Sequence, residues 1–191
     1  PIVSGQVVAS VEDLVRGAQL RGIDPAAEGA VSDIGRQMLR GRLDALQPGR
    51  FGAVIGRALA DQLGLMPGDR LTLLAPQATV TPAGVVPRVR QFTVVGLFES
   101  GHYEFDSSMV VVNIDDAERF LRDDGATGLR LRTDDVLAAP SVAATLSKTL
   151  GAGYDVRDWS TENRIWFSAV QVEKRMMFII MLLIIAVAAF N

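Results

Sequence analysis

The sequence predicts an α+β protein, a mixed subdomain with a β-rich subdomain inserted in it, continued by a long helix toward a membrane. Three observations carry this. Residues 107–157 read as β-α-β-α-β, residues 50–106 are mostly strand-like with one short helix, and Met176–Phe190 is an unbroken apolar run. The 191 residues, 49% hydrophobic, suffice for one ordinary domain or two small ones and exclude a disordered chain.

Val3–Val8 and Leu14–Ile23 hold apolar residues bounded by turn formers, the pattern of two strands. Ala30–Leu39 fits one amphipathic helix with Val31, Ile34, Met38 and Leu39 on its buried stripe. Arg42–Arg50 is a polar connection containing the Pro48-Gly49 turn. Phe51–Ile55 predicts a short buried strand and Gly56–Leu63 a helix ending at Gly64. The Pro67-Gly68-Asp69 turn leads into a strand over Arg70–Leu74, and Arg88–Phe98 and Met109–Val112 are further strands. Asn113 is a good cap for the next helix, whose Asp115 and Asp116 suit the positive end of its dipole. Gly128–Leu131 is strand-like, Ser141–Leu150 helical and Tyr154–Val156 strand-like.

Beyond Trp159 the helical pattern resumes, capped by Asp158 or Ser160, with Ile165, Trp166, Ala169, Val172 and Met176 as its stripe. Ser160–Arg175 would form a stalk of roughly 24 Å at 1.5 Å per residue. It lacks the Gly/Ser-rich composition of a flexible tether. A helix apolar all round belongs in lipid or a large core. Met176–Phe190 falls short of the about 20 residues of a full span and reads as the front of a truncated one. Met176, Met177, Ile180 and Leu183 are the expected lipid- or acyl-chain-facing residues, with 176, 180 and 183 on one helical face. Lys174 and Arg175 at the membrane entrance hint at a cytoplasmic domain by the positive-inside rule.

Composition removes many chemistries. A net charge of −3 and a sequence pI of about 5.2 leave no basic field for nucleic acid. With no cysteine there are no disulfides, no thiolate chemistry and no Cys-based zinc site. His102, Glu104 and Asp106 would share a face on a strand and could hold a metal, but Ser100–Tyr103 reads as a loop and no metal site is expected. Neither Lys148 nor Lys174 follows a glycine, so there is no P-loop, and no G-x-S-x-G elbow is present. No catalytic residue and no cofactor are predicted. Any ATP hydrolysis belongs to a separate ATPase subunit.

Ala75–Pro87 is the unusual stretch. It reads as a long loop between two strands, uncharged and stiffened by Pro76, Pro82 and Pro87, where hairpin loops usually run 2–5 residues. From Arg70 to Phe98 there is no acidic residue, and Arg70, Arg88 and Arg90 give that stretch a charge of +3. Val80, Thr81, Pro82, Gly84, Val85, Val86 and Pro87, with Arg88 and Arg90 at the root, predict a stiff apolar docking arm for a protein partner. The two arginines would pair with carboxylates on the partner's rim. Neither Pro82 nor Arg90 is a predicted core position, so substitution at either should leave thermal stability unchanged.

Several motifs occur in order: Arg21-Gly22-Ile23-Asp24-Pro25; Leu46-Gln47-Pro48-Gly49-Arg50-Phe51 followed by Gly56-Arg57-Ala58-Leu59-Ala60; Thr81-Pro82-x-Gly84-x-x-Pro87 with Arg90 and Phe92; Asp158-Trp159; Glu173-Lys174-x-Met176-Met177; and Ala186–Asn191. In this order the chain resembles the periplasmic region of LolC/LolE-type permeases of the lipoprotein-releasing ABC transporter, within the FtsX/MacB-like superfamily. The resemblance implies a MacB-like periplasmic domain. Residues 1–49 and 107–158 would form a Porter-like α+β subdomain and 50–106 a β-rich Sabre-like subdomain with a hook hairpin at 75–90. A stalk helix at 159–175 and a truncated transmembrane helix at 176–191 would follow.

The resemblance also places residues 1 to about 172 in the periplasm of a bacterial inner membrane, against the Lys174/Arg175 hint. The implied partners are a LolD-like ATPase, a second permease subunit (LolE-like or a second copy), a LolA-like lipoprotein carrier recruited by the hook, the lipoproteins and membrane lipid. Arg90 matches the polar residues that flank the family's hook, whereas Thr72 and Val89 stand where polar or basic groups are expected. LolC-like, LolE-like and hybrid LolF-like roles stay open. So do a MacB-like exporter, an FtsX-like signalling permease and a membrane-anchored enzyme built on His102.

Overall fold

The structure is a computed structural model that describes residues 1–81, 84–122, 125–159 and 164–190, with the backbone course alone for 77–81, 84–86, 164–171 and 187–190. By its internal contacts the chain divides into Pro1–Arg132 and Thr133–Asn191.

In the first unit, β1 (Ile2–Val11) and β2 (Leu14–Ile23) are strands where two were predicted, and they pair as an antiparallel hairpin. Helix α1 follows at Pro25–Val31 and not at Ala30–Leu39. Asp24 accepts from the Ala26 N–H at 3.0 Å and Pro25 opens the first turn, a start signal that outweighs the apolar periodicity further on. The N–H of Ser32 closes the helix on the Glu28 carbonyl, Ile34–Arg36 makes a single 3-10 turn, and Met38–Gly41 is strand β3. The apolar residues at 31–39 therefore serve three short elements instead of one helical stripe.

Next come β4 (Gly52–Gly56), α2 (Arg57–Leu63), β5 (Arg70–Thr81), β6 (Gly84–Phe98), α3 (Tyr103–Asp106), β7 (Met109–Asn113) and α4 (Ile114–Leu121). Gly64 ends α2 at φ +67°, a left-handed conformation that favours glycine. Asn113 caps α4 as predicted, its side chain accepting from the Asp115 N–H at 3.0 Å.

The seven strands among the described residues lie in one sheet of order β3-β6-β4-β7-β2-β1-β5, and an additional β5–β6 pairing closes it on itself. The ring runs β6-β4-β7-β2-β1-β5 and back to β6. The pairs β2–β7 and β4–β6 are parallel and the others antiparallel. Closure satisfies the strand edges that an open sheet would leave bare. Strands from 1–49, 50–106 and 107–158 are interleaved in it: β1 pairs with β5, and β7 pairs with both β2 and β4.

Strand β7 is buried at every residue because its side chains enter two cores in alternation. Val110 and Val112 join Leu20, Leu59, Leu71, Leu73 and Phe92, whereas Met109 and Val111 join Ile23, Leu46, Val54 and Phe98. A strand covered on both faces reads as a continuous apolar run, which is how 109–112 and 51–55 stood out in the sequence. The predicted strand at Gly128–Leu131 reduces to one bridge, Ile2 to Gly128. Leu129 and Leu131 remain exposed, and with nothing to bury they extend no ladder. Arg130 instead reaches the buried Glu28 at 3.4 Å.

In the second unit, Val136–Ala138 is a 3-10 turn capped by Asp135, and α5 runs Ala139–Leu150 to Gly151. Trp159 donates its indole N–H to the Val136 carbonyl at 2.9 Å. Tyr154–Val156 forms no strand, so 107–157 is not a β-α-β-α-β unit. Helix α6 spans Arg164–Phe190 in one piece; the expected cap Ser160 and the terminal Asn191 lie outside the described residues. Among the described residues no helix is long and apolar enough to cross a membrane.

The contact of α4 with β2 is close. A Cβ on Gly22 would stand 2.4 Å from that of Ala117, whereas one on Gly17 of the same strand would meet nothing within 4 Å. Gly22→Ala should therefore cost about 1–3 kcal/mol by overpacking, and Gly17→Ala should leave the urea midpoint nearly unchanged. Equal midpoints for the two variants would contradict this packing.

Candidate functional site

The antiparallel β5–β6 hairpin is longer than either strand predicted at its base. Its register runs from Arg70↔Thr93 to Ala75↔Arg88, shifts, and resumes at Thr79↔Val86, Val80↔Val85 and Thr81↔Gly84. Ala75–Pro87 is thus a two-stranded ribbon rather than a long loop. Thr79, Val80, Thr81, Val85 and Val86 are β-branched and favour the extended state. Pro76 falls at the register shift, and Pro87 lies on a ribbon where a missing backbone donor is tolerated. Pro82 lies outside the described residues.

The ribbon leaves the barrel where its neighbours stop. Strand β1 pairs with β5 only as far as Leu74, and β4 pairs with β6 only from Thr93. Between Ala75 and Thr81, at about 3.3 Å per residue, the ribbon extends roughly 20 Å beyond β1's last partner. Among the described residues no other strand pairs with this part of either edge.

At the root the two faces differ. Thr72 opposite Gln91, and Leu74 opposite Val89, make one face; Leu71 opposite Phe92, Leu73 opposite Arg90 and Ala75 opposite Arg88 make the other. Leu71, Leu73, Ala75 and Phe92 are buried, so Arg88 and Arg90 continue the core-facing phase. The Arg90 guanidinium sits 3.8 Å from the Phe51 ring centroid, and Arg88 Nη1 donates to the Leu121 carbonyl at the end of α4. Both arginines are thus engaged with their own fold, although Arg90 is exposed and, as expected, no core position. Val89, on the other face, is exposed.

Phe51 links this root to the interior. Its ring meets Phe92 edge-on at 5.5 Å, and Phe92 meets Phe120 at 5.6 Å. Its backbone has φ +50°, a region a bulky residue rarely enters. Asp116 holds it there: the fully buried carboxylate accepts from the Gly49 N–H at 2.7 Å and the Phe51 N–H at 2.9 Å. The sequence marked Asp116 only as a helix-dipole residue. Partners 65 and 67 positions away leave no local signal.

The other singled-out residues are spread apart. Asp106 accepts from the N–H groups of Ser100 and Gly101 and from the Ser100 hydroxyl, bracing the turn before α3, while His102 and Glu104 are exposed. Among the described residues no group of three or more such side chains could hold a metal ion. Met176, Met177, Ile180 and Leu183 lie on α6, but exposure runs evenly between 50% and 65% from Met176 to Ile185, so no face is distinguished.

A profile of the MacB-like periplasmic core domain matches residues 1–149. Among curated proteins, the lipoprotein-releasing system transmembrane protein LolC of Neisseria meningitidis serogroup B is 47% identical over 193 residues, covering 100% of this chain and 46% of that protein. The LolC of Xylella fastidiosa (strain Temecula1) is 41% identical over 174 residues, 91% of this chain and 42% of its own. Among solved structures, the periplasmic region of MacB from Actinobacillus actinomycetemcomitans aligns with a TM-score of 0.47 at 15% identity, covering 78% of this chain and 65% of that one. The chain spans about half the length of the curated relatives it matches.

The contacts at the root set two stabilities apart. Asp116→Ala removes the acceptor of the Gly49 and Phe51 N–H groups and should cost about 1–3 kcal/mol, read from the denaturant midpoint. Arg90→Ala removes one exposed cation–π contact and should cost about 0.5–1 kcal/mol. A larger loss for Arg90→Ala than for Asp116→Ala would invert the hierarchy described.

Proposed function

The chain belongs to the MacB-like periplasmic core domain family, and from that we propose that it is the carrier-recruiting part of an inner-membrane permease that releases lipoproteins. The observation that carries this reading is the β5–β6 ribbon, with its uncharged tip, basic root and open edges beyond the barrel. The LolC name borne by the Neisseria and Xylella relatives supports the same reading.

Physical chemistry gives such a ribbon a task. Lipidation holds a protein to the bilayer by about 0.8 kcal/mol per buried CH₂, so acyl chains do not enter water unaided. A carrier with an apolar groove must wait at the point of exit. The hook 75–90, on the Sabre-like portion 50–106, would hold it there: Val80, Val85 and Val86 fill apolar space, and Pro82 and Pro87 lower the ordering cost of binding. The Porter-like portion, 1–49 and 107–158, would carry the hook, with residues 1 to about 172 in the periplasm.

In this reading ATP is hydrolysed by a separate LolD-like subunit, and a second permease subunit completes the transporter. The stalk passes motion between them. Support for the stalk comes from α6, whose residues Arg164–Phe190 run about 40 Å without interruption at 1.5 Å per residue. The exposed Met176–Ile185 segment needs an apolar cover, which lipid or a lipoprotein acyl chain would provide at Met176, Met177, Ile180 and Leu183.

Two experiments test the proposal in the full-length permease. Pro82→Asp should lower capture of a purified LolA-like carrier at least tenfold, with no change in thermal stability; wild-type capture by a folded variant would reject the hook. Two Gly-Gly pairs inserted near Ala169 should leave assembly and ATP hydrolysis intact and abolish lipoprotein release. Release at the normal rate would remove the rigid stalk from the mechanism.

A further inference from the structure

We propose that Trp159 is the joint of the stalk, a positioning residue whose indole, held on the Val136 carbonyl, couples the start of the stalk to the chain entering the second unit at Thr133. Helix α5 and the connection after it are thereby left out of the line of force. The inference rests on the stalk reading above and names the residue through which the stalk delivers its motion.

Along the covalent chain, motion of the stalk would have to pass through a weak element. Residues 151–158 have no regular secondary structure and are mostly exposed. A Cβ placed on Gly151 or Gly153 would meet nothing within 4 Å, so no neighbour braces the start of this connection. Pulled straight, such a stretch reaches roughly 27 Å and takes up a displacement before passing it on. Helix α5 ahead of it has no buried residue. Its hydroxyls bond within the helix: Ser141 to the Ala138 carbonyl, Thr145 to that of Ser141 and Thr149 to that of Thr145.

The indole bypasses that element. Trp159 Nε1 donates to the Val136 carbonyl at 2.9 Å across 23 positions of sequence. The acceptor is set in place beforehand. Asp135 caps the Val136–Ala138 turn, its side chain accepting from the Leu137 N–H at 2.9 Å. The Val136 carbonyl also accepts from the Ala139 N–H, and its two lone pairs serve both donors. The donor is equally constrained: Trp159 has helical backbone, and the side chain has two torsions to fix. Its ring is 36% exposed, so most of its surface is covered and adds apolar contact to the bond. With the bond made, only Thr133–Asp135 separates the joint from Arg132, where the first unit ends, instead of the whole of 137–158.

A cross between the joint and the loop it bypasses tests this in the full-length permease, assembled with its ATPase in lipid vesicles carrying a lipoprotein. Trp159→Phe keeps a ring and removes the N–H. It should lower lipoprotein released per ATP hydrolysed about fivefold, with ATP hydrolysis and carrier capture at wild-type levels. Two glycines inserted after Ala152 lie inside the bypassed loop. They should leave release unchanged where Trp159 is intact and lower it at least a further fivefold in Trp159→Phe. A tryptophan that only stabilises its surroundings produces no such dependence. If the insertion lowers release with Trp159 intact, or if Trp159→Phe releases as wild type, the force does not run through the indole and the proposal is wrong. Should Gly-Gly pairs near Ala169 leave release normal, the stalk reading fails on its own. The joint is then judged by amide exchange over Leu137–Leu150, where faster exchange in Trp159→Phe supports it and unchanged exchange rejects it. Exchange also decides if a variant does not assemble.

Discussion

The carboxylate of Asp116 accepts the backbone N–H groups of Gly49 and Phe51, and most of the first unit is organised around that contact. A carboxylate removed from water is costly unless its oxygens are hydrogen-bonded, and here each oxygen has an N–H directed at it. The connection before β4 is thereby fastened to the first turn of α4. Asn113 fastens it again, its amide donating to the Leu46 carbonyl at 3.0 Å. With 46–51 fixed at two points, Gly52–Gly56 enters the sheet between β6 and β7, and Phe51 meets Phe92 and Arg90 of the hairpin.

Ring closure follows from the same arrangement. Strand β6 faces β5 over its first part and β4 over its last, and it also receives β3 at Gly96–Phe98. It can serve three neighbours because its length exceeds theirs. Where Arg70 and Gly52 both face Thr93, the barrel is shut; toward the tip only β5 remains. The ribbon is thus the uncovered end of a strand whose other end is central to the fold.

Legibility in the sequence varied with the range of the interaction. Asn113 and Gly64 were readable because a cap acts on its own helix, and β4 and β7 because burial on both faces leaves an unmistakable apolar run. The helix expected at 30–39 was misread because residues serving a 3-10 turn and a strand happened to fall at helical spacing, while Asp24-Pro25 carried the true start. The 75–87 stretch reads as a loop because its three prolines remove backbone donors, whereas its ribbon depends on pairing between β5 and β6 that the prolines do not announce. Asp116, Arg88 and Arg90 show the opposite limit: their partners are brought to them by tertiary packing, and nothing nearby in the chain announces it.

The continuity of β5 and β6 from core to tip has a mechanical consequence. A pull on the tip along the ribbon loads both strands in the same direction, against β1 at Val8–Ser10 on one side and against β4 and β3 on the other. Those ladders are loaded in shear, with several bonds bearing the force at once, whereas a sideways tug would open them one by one. A load applied along the ribbon axis therefore works against the stiffest direction of the barrel, and one applied at right angles against the softest.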